Sequence, residues 1–208
     1  MVVTATVFVV DDDDAVRESL TLLLEAAGFV VAAFSTGFSF LETVRQAAEG
    51  CVVMDVRMPD IGGLEVHQEL RRRNVALPVV VITGHGDVPL AVRAMKAGVT
   101  DFIEKPFSDE TILGSIARAL ERGEESRHEQ AAVGEILARA ASLTAREREV
   151  LHELVAGHPN KVIAHHLSIS PRTVEIHRAR VMEKMQAPSL SALVRMALQA
   201  GLSMDRAS

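Results

Sequence analysis

The sequence predicts an α/β domain with a doubly wound parallel sheet, followed by a smaller all-α domain. Short apolar runs rich in β-branched residues alternate with longer segments of helical period through the front of the chain. Capped helical segments follow one another towards its end. The charge changes as well: residues 1–122 carry 11 Lys and Arg against 18 Asp and Glu, and residues 143–208 carry 9 against 6. We therefore expect two modules with different partners. The small basic excess of the second module favours nucleic acid as its partner.

Five short apolar runs are the strand candidates of the front domain. In chain order they are Thr6–Val10, Val30–Phe34, Cys51–Met54, Val79–Thr83 and Asp101–Glu104. The segments of helical period between them are Ala15–Ala27, Ser39–Ala48, Leu64–Arg73 and Val88–Ala97. Ser108 is the predicted N-cap of a fifth helix. Five strand–helix units predict a flavodoxin-like sheet with strand order 2-1-3-4-5.

Capping patterns define the helices in the back of the chain. Thr144, with Glu147 three residues later, forms a capping-box pattern at the start of the first helix. Asn160 is the predicted cap of a short helix, and Ser170 followed by Pro171 is the predicted start of a longer one. The three helices after the first are predicted over 161–167, 171–185 and 191–200. Short helices separated by a tight turn are typical of a helix-turn-helix module.

These patterns predict three parts of the chain. The front domain is expected at residues 1–122 and the helix-turn-helix domain at 142–208. Residues 123–141 are charged at first and then Ala-rich, which predicts a helical linker. Gly123 and Gly134 are the positions at which that helix could break.

Composition excludes several classes of protein. With 48% hydrophobic residues and a net charge of -6, the chain is expected to be globular. The single cysteine, Cys51, lies in an apolar run and is expected to be buried, and its lack of a disulfide partner favours a cytoplasmic location. No apolar stretch approaches the ~20 residues of a membrane span, and no signal-peptide pattern is visible. The absence of Trp and Tyr argues against a stacking platform for single-stranded nucleic acid.

Polar residues follow the strand candidates at their carboxyl ends. Asp11 and Asp12 follow the first strand, and Asp55 follows the third. Thr83 ends the fourth strand, and Lys105 follows the fifth. Ligands of open parallel sheets bind outside these strand ends, where crowded carboxylates favour a hard cation such as Mg²⁺ or Mn²⁺. The hydroxyl and the ammonium suit phosphoryl oxygens, so Asp55 is a candidate nucleophile for phosphoryl transfer.

The run of four aspartates allows other interpretations. A solvated acidic turn is the simplest, but it leaves the polar residues at the other strand ends unexplained. A calcium loop fits poorly, because Ala15 and Val16 follow where a further ligand and a glycine are required. Asp13 and Asp14 are expected to start the first helix, where its dipole favours negative charge.

The helix predicted over 171–185 has one apolar stripe. With Val174 facing inward, Val181 and Met185 fall within ~20° of it at 100° per residue. The opposite face holds Arg172, Glu175, Ile176, Ala179, Arg180 and Glu183. Such a mixture suits the major groove, because Arg pairs with guanine or phosphate, Glu with cytosine and small apolar groups with the thymine methyl. An ordinary amphipathic helix with a solvated face is the alternative.

Other basic residues of the back domain are candidates for phosphate contacts. Lys161 and Lys184 are predicted to bind phosphates rather than bases. His177 and Arg178 flank the buried stripe, where they either contact phosphates or cover the core.

The histidines His158, His165 and His166 raise the question of a metal. Their spacing fits no usual zinc pattern, and no cysteine is near them in the sequence. A surface or capping role is therefore expected for them.

Residues 5–122 resemble the receiver domain of two-component response regulators. The matching motifs are Val10–Asp13, Met54–Asp60, Thr83–Asp87 and Asp101–Phe107. The resemblance implies that Asp55 accepts a phosphoryl group from a histidine kinase. It implies a Mg²⁺ site made by Asp11, Asp12, Asp55 and the backbone carbonyl of Arg57. It also implies that Thr83 and Lys105 contact the phosphoryl group and that Thr83 and Phe102 form a switch pair.

Further details of the front half follow from this resemblance. It implies a cis peptide bond before Pro106 and a positive φ at Gly63. Gly84 stands where alanine is frequent and leaves more room beside the phosphoryl group. Phe102 replaces a frequent tyrosine, which excludes any step that needs a hydroxyl there.

Residues 142–200 resemble the four-helix DNA-binding domain of the LuxR/NarL/FixJ class. The matching motifs are Leu143–Leu151, Asn160–Ala164 and Ser168–Arg178. The predicted DNA contacts are Lys161, Arg172, Thr173, Glu175, Ile176, Arg178, Ala179, Arg180 and Lys184. The chain as a whole is similar to FixJ-type regulators, which implies control of nitrogen-fixation or microaerobic genes.

The two resemblances together imply a transcriptional activator that is switched by phosphorylation. Phosphorylation would draw Thr83 inward and let Phe102 rotate into the vacated space. This would repack the implied homodimer face, which comprises Val92, Met95, Lys96 and Asp101. The implied partners are a sensor histidine kinase, double-stranded promoter DNA, a second copy of the chain and RNA polymerase, without a membrane. The unphosphorylated front domain is expected to hold the DNA-binding domain inactive.

Two alternatives to this function stay open. A phosphatase of the haloacid-dehalogenase type would use Asp11 as nucleophile and Asp13 as acid and base. The front domain is short for a cap, however, and Asp55 would have no role. The other alternative is a receiver that acts only through protein partners of its helical tail.

Overall fold

The computed structural model describes residues 5–46, 48–84 and 88–202, and the chain divides into two compact units, Met1–Arg127 and His128–Ser208. Five parallel strands form one sheet in the first unit, in the order β2-β1-β3-β4-β5. The strands are β1 (Thr6–Val10), β2 (Val30–Phe34), β3 (Cys51–Asp55), β4 (Val79–Thr83) and β5 (Asp101–Glu104). The predicted fold class and strand order are confirmed.

Helices follow each strand of the sheet. They are α1 (Asp14–Ala26), α2 (Gly37–Thr43), α3 (Gly63–Arg72), α4 (Val88–Ala97) and α5 (Asp109–Ala141). Helix α5 is 33 residues long and continues through Gly123 and Gly134 without a break. It therefore includes residues 123–141. The domain boundaries at 122 and 142 stay predictions.

The sheet separates two layers of apolar side chains. Strands β3 and β4 are buried along their whole length, as central strands of a parallel sheet are. Because successive side chains point to opposite faces, Val52 and Met54 belong to one core cluster and Cys51 and Val53 to the other. The fully buried Cys51 confirms the sequence prediction, and burial raises the pKa of its thiol to about 12.

Helix α2 begins earlier and ends earlier than the sequence predicts. The prediction was 39–48, whereas the helix spans Gly37–Thr43. The hydroxyl of Thr36 accepts a hydrogen bond from the backbone N–H of Ser39, so Thr36 is the N-cap. Val44 ends the helix because it is extended and buried in the core.

Up to Leu202, where the described part of the chain ends, the second unit contains the end of α5 and four further helices. These are α6 (Ala145–Val155), α7 (Asn160–His166), α8 (Pro171–Lys184) and α9 (Leu190–Gln199). Thr144 and Glu147 make both hydrogen bonds of the predicted capping box, 3.3 and 2.9 Å long. The prediction for Asn160 was wrong: Pro159 is the N-cap, and the Asn160 side chain accepts a hydrogen bond from Arg178 instead.

No helix among the residues that the structure describes has both the length and the apolar character needed to cross a bilayer. The longest, α5, is rich in charged residues along its exposed surface.

His67 on α3 is a buried titratable residue of the first unit. It is 5% exposed, and its Nε2 lies 3.0 Å from the carbonyl oxygen of Ala97. A carbonyl only accepts, so Nε2 carries the proton, and Nδ1 has no partner among the described residues. Burial lowers the pKa of His67, the hydrogen bond to Ala97 opposes this, and the nearby charge of Arg71 lowers it further.

We expect the stability of the first unit to fall as the pH drops below 6.5, the usual pKa of histidine. The unfolded chain then binds a proton at His67 and the folded chain does not, so the loss of stability reaches at most about 1.4 kcal/mol per pH unit. Urea unfolding of the parent and of His67→Gln between pH 7.5 and 5.5 measures it, with His128→Gln on exposed α5 as the control. Equal pH dependence in parent and His67→Gln would contradict the prediction.

Candidate functional site

The carboxyl ends of the strands meet at one edge of the sheet. Val10 pairs with Met54, so the next residues, Asp11 and Asp55, lie side by side. The ammonium of Lys105 lies 2.8 Å from Oδ2 of Asp11 and 3.1 Å from Oδ1 of Asp55. The backbone N–H of Lys105 donates to the carbonyl of Thr83, 2.8 Å away, which ties the end of β4 to the same cluster.

The charge of this cluster is not balanced. Asp11 is 1% exposed and Asp55 is 7% exposed, and one ammonium faces both carboxylates. Burial disfavours the charged form of Lys105, but its hydrogen bonds to Asp11 and Asp55 outweigh this and raise its pKa. A negative excess remains at the site, and the exposed carboxylate of Asp12 adjoins it in the chain. A cation would relieve this excess.

Each buried carboxylate is held on two sides. Oδ1 of Asp11 accepts from the backbone N–H of Asp13 at 3.0 Å, and Oδ2 of Asp55 accepts from that of Arg57 at 2.6 Å. The second oxygen of each contacts Lys105. The guanidinium of Arg17 donates to the carbonyl of Asp11 at 2.7 Å. Arg17 was not predicted, because no local sequence pattern marks a side chain that reaches back to the strand end.

The remaining aspartates of the run serve the first helix. Asp13 is the N-cap of α1, and its Oδ1 accepts from the backbone N–H groups of Ala15 and Val16 at 2.9 and 3.3 Å. Asp14 is the first helical residue and forms an ion pair with Arg17. Both were predicted to start the helix, and both predictions are confirmed. Asp13 therefore has a structural task that differs from the acid and base role in a phosphatase.

The loop after Asp55 requires a residue without a side chain, but for a different reason than predicted. Gly63 is the first residue of α3 and does not have a positive φ, so that prediction was wrong. A Cβ at this position would overlap the backbone carbonyl of Asp55 and approach Sδ of Met54 to 3.2 Å. Close contact with the end of β3 excludes larger residues here. The predicted cis peptide bond between Lys105 and Pro106 is present.

We expect Gly63→Ala to lower the free energy of unfolding of the first unit by about 1–3 kcal/mol, the usual cost of overpacking. The backbone of Asp55, rather than a flexible side chain, must move to make room. Gly84→Ala is the matched control, because no described atom lies within 4 Å of the added methyl group, and a change below about 0.5 kcal/mol is expected. Chemical denaturation measures the free energy of unfolding of both variants. Equal values for the two variants would refute the steric role of Gly63.

The residues predicted for the switch and the dimer face lie on β4, α4 and β5. Phe102 is half-buried against the core, and Thr83 is buried. Val92 and Met95 on α4 are 44% and 53% exposed, and Lys96 is exposed beside them. His85, Gly86 and Asp87 of the receiver-like motif lie outside the described residues.

Asp101 of the predicted dimer face is engaged within its own unit. Its Oδ2 accepts hydrogen bonds from the Ser115 hydroxyl at 2.6 Å and the Arg118 guanidinium at 2.7 Å. Burial opposes ionisation, but these hydrogen bonds hold the pKa of Asp101 below its usual value. Ser115 and Arg118, which lie one helical turn apart on α5, were not predicted from the sequence.

The exposed face of α8 matches the face predicted from the helical period. Val174, Val181 and Met185 are fully buried, whereas the six residues predicted to face outward are all exposed. Four of them line a shallow depression, namely Arg172, Glu175, Ile176 and Ala179. Ile176 has 49% of its surface exposed, so an apolar group stands among polar ones on an open face.

Three residues of the predicted DNA-contact set have partners within the second unit. The ammonium of Lys184 contacts Oε2 of buried Glu147 at 2.6 Å, which together with the Thr144 N–H lowers the pKa of Glu147 to about 2. Arg178 donates to Asn160 at 3.2 Å, and the N–H of Thr173 donates to the Ser170 hydroxyl. Lys184 thus stabilises the domain, and its contact with DNA stays a prediction.

Comparison with known proteins agrees with this geometry. Residues 7–117 match the family described as response regulator receiver domain, and residues 141–197 match bacterial regulatory proteins, luxR family. The chain is 48% identical over 199 residues to the transcriptional regulatory protein FixJ of Bradyrhizobium diazoefficiens, covering 96% of this chain and 97% of that protein. It is 52% identical over 197 residues to FixJ of Azorhizobium caulinodans, covering 95% and 93%.

A solved structure extends the similarity to three dimensions. The response regulator StyR matches with a TM-score of 0.78 and 41% identity, over 94% of this chain and 99% of that one. The chain therefore belongs to the FixJ-like two-component response regulators, in which a receiver domain is joined to a LuxR-type helix-turn-helix domain.

Proposed function

We propose that this regulator is activated when a cognate histidine kinase transfers a phosphoryl group to Asp55, and that the activated protein dimerises and binds promoter DNA. The single observation that carries the proposal is the placement of Lys105 between Asp11 and Asp55 at the strand ends. A receiver domain implies a kinase partner, and a LuxR-type domain implies DNA binding.

The chemistry of the proposed transfer follows from how Asp55 is held. A carboxylate oxygen of Asp55 attacks phosphorus, the bond from phosphorus to the kinase histidine breaks, and an acyl phosphate forms. Arg57 N–H fixes one oxygen at 2.6 Å, so the carboxylate is oriented before the donor arrives. The Lys105 ammonium lies 3.1 Å from the other oxygen and would contact the transferred group. Thr83 ends the neighbouring strand and would supply a hydroxyl.

The donor set of the site suits a hard cation. Asp11, Asp12, Asp55 and the carbonyl of Arg57 offer only oxygen, which Mg²⁺ or Mn²⁺ prefers, and receiver domains in general bind Mg²⁺ at this site. The cation would neutralise charge on the phosphoryl oxygens. The negative excess left by one ammonium between two buried carboxylates supports this assignment.

The proposed response to phosphorylation involves Thr83 and Phe102. Movement of Thr83 towards the phosphoryl group would open space for the half-buried ring of Phe102. The adjoining face, with exposed Val92, Met95 and Lys96 and the nearby Asp101, would then pair with the same face of a second copy. Two copies would present two α8 helices to two half-sites.

The proposed DNA contacts divide by type. Arg172, Glu175, Ile176, Ala179 and Arg180 on exposed α8 are proposed to lie in the major groove. Lys161, Thr173, Arg178 and Lys184 are proposed to contact the backbone. Similarity to FixJ across the chain supports nitrogen-fixation or microaerobic genes as targets, with RNA polymerase as the partner of an activator.

Duplex binding and sedimentation with and without acetyl phosphate and Mg²⁺ test the proposal. We expect a monomer with weak binding in the absence of donor, and a dimer with tight, salt-dependent binding when donor and Mg²⁺ are both present. An unchanged mass and an unchanged affinity would contradict the switch. Phosphorylation without any duplex binding would favour a receiver that acts through protein partners.

Steady release of phosphate would favour the phosphatase if it persisted in Asp55→Asn and was lost in Asp11→Asn. The N-cap role of Asp13 makes that outcome unexpected, because its Oδ1 already serves two backbone N–H groups.

A further inference from the structure

The fold brings together three side chains of metal-ligating type in the second unit, none of them on α8. Glu153 lies in α6, His158 lies in the loop between α6 and α7, and His166 is the last residue of α7. Nδ1 of His158 is 2.7 Å and Nδ1 of His166 is 2.9 Å from the same oxygen, Oε2 of Glu153. The three ligand atoms all lie within 4.8 Å of one another.

The backbone holds this cluster in place. The N–H of His158 donates to the carbonyl of Glu153 at 3.1 Å, and Gly157 with φ of 82° makes the turn between them. The imidazole rings of His158 and His166 meet edge to face with centroids 5.1 Å apart. Both nitrogen ligands are therefore pre-positioned by α7 and its preceding loop, rather than by a flexible segment.

The three ligand groups are accessible to a cation. Glu153 and His158 are half-buried, and His166 is exposed. A carboxylate oxygen and an imidazole nitrogen without its proton each offer a lone pair, so a metal bound here would take the place of the two hydrogen bonds to Oε2 of Glu153.

The donor set selects the class of metal. Two imidazole nitrogens and one carboxylate oxygen suit Zn²⁺ and its transition-metal neighbours, whereas Mg²⁺ and Ca²⁺ prefer oxygen alone. Ligand atoms bound tetrahedrally to Zn²⁺ at ~2.0–2.1 Å lie ~3.3 Å apart. The distances of 2.7 and 2.9 Å would have to widen by roughly half an ångström, which rotation of partly exposed side chains permits.

We propose that Glu153, His158 and His166 form a Zn²⁺ site that links α6, the following loop and α7 in the DNA-binding domain. Three protein ligands leave a fourth position for water. Zinc binding would fix the loop that leads into α7 and the last residue of α7, the helix that packs against α8 in the helix-turn-helix. The separation of these residues in the sequence explains why the spacing of the histidines gave no zinc pattern.

Zinc titration of the untagged full-length protein against a chromophoric chelator, in millimolar Mg²⁺ to occupy the receiver site, tests the proposal. We expect one equivalent of Zn²⁺ to bind to the parent. His166→Gln should weaken the affinity by more than about tenfold, since loss of an outer-shell partner alone costs that much. His165→Gln, at the exposed neighbouring position, should bind as the parent does.

Two further measurements keep the result interpretable. Co²⁺ should give a visible absorption band in the parent and in His165→Gln but not in His166→Gln. Circular dichroism should show all three folded, since His166 is exposed. No zinc binding by the parent, or equal affinity in His166→Gln, would overturn the site and would leave the phosphorylation switch untouched.

Discussion

Asp55→Asn is expected to abolish phosphorylation of the protein by acetyl phosphate and by a kinase. The amide has the size of the carboxylate but is not a nucleophile, and it leaves Asp11 and Lys105 in place. Incorporation of label into the protein should fall to background. The donor should then no longer change the mass or the affinity for duplex DNA.

Asp60→Asn is the matched control for this substitution. Asp60 is an aspartate in the loop after β3, and its exposed carboxylate accepts from the backbone N–H of Phe38 at 2.9 Å, whereas the Lys105 ammonium contacts Asp55. We expect Asp60→Asn to be phosphorylated like the parent. Label retained in Asp55→Asn and lost in Asp60→Asn would show that Asp60, rather than Asp55, accepts the phosphoryl group.

The strand ends show which parts of the site can be predicted from sequence. Each apolar run gives its own strand, and parallel strands end at one edge, so Asp11, Asp55 and Lys105 are brought together by the topology alone. The strand order decides which strand ends are neighbours, and the observed order is the predicted one.

Contacts between helices are a different case. Pairing of Arg178 with Asn160, and of Lys184 with Glu147, depends on how α8 packs against α7 and α6. Both basic residues carry the charge expected of a phosphate contact, and the sequence does not distinguish a charge that faces DNA from one that faces a neighbouring helix. For the same reason the sequence did not indicate Glu153, which lies close to His166 only in the folded chain.

Arg172→Ala and Lys161→Ala are expected to weaken DNA binding in different ways. Arg172 lies at the exposed start of α8, where a recognition helix contacts base edges. Its loss should cost about 1–3 kcal/mol on the preferred duplex and little on a random one. Lys161 lies in the first turn of α7 and is exposed, so its loss should weaken binding to all duplexes and lower the salt slope by about one.

The measurement uses phosphorylated protein and a duplex selected from a random pool, titrated at several salt concentrations. Arg195→Ala is the control, because Arg195 is exposed on α9 and lies outside the proposed contacts. An equal loss on preferred and random duplexes in Arg172→Ala would make Arg172 a phosphate contact rather than a base reader. A salt slope unchanged by Lys161→Ala would remove Lys161 from the interface, since each neutralised phosphate releases counterions and must appear in that slope.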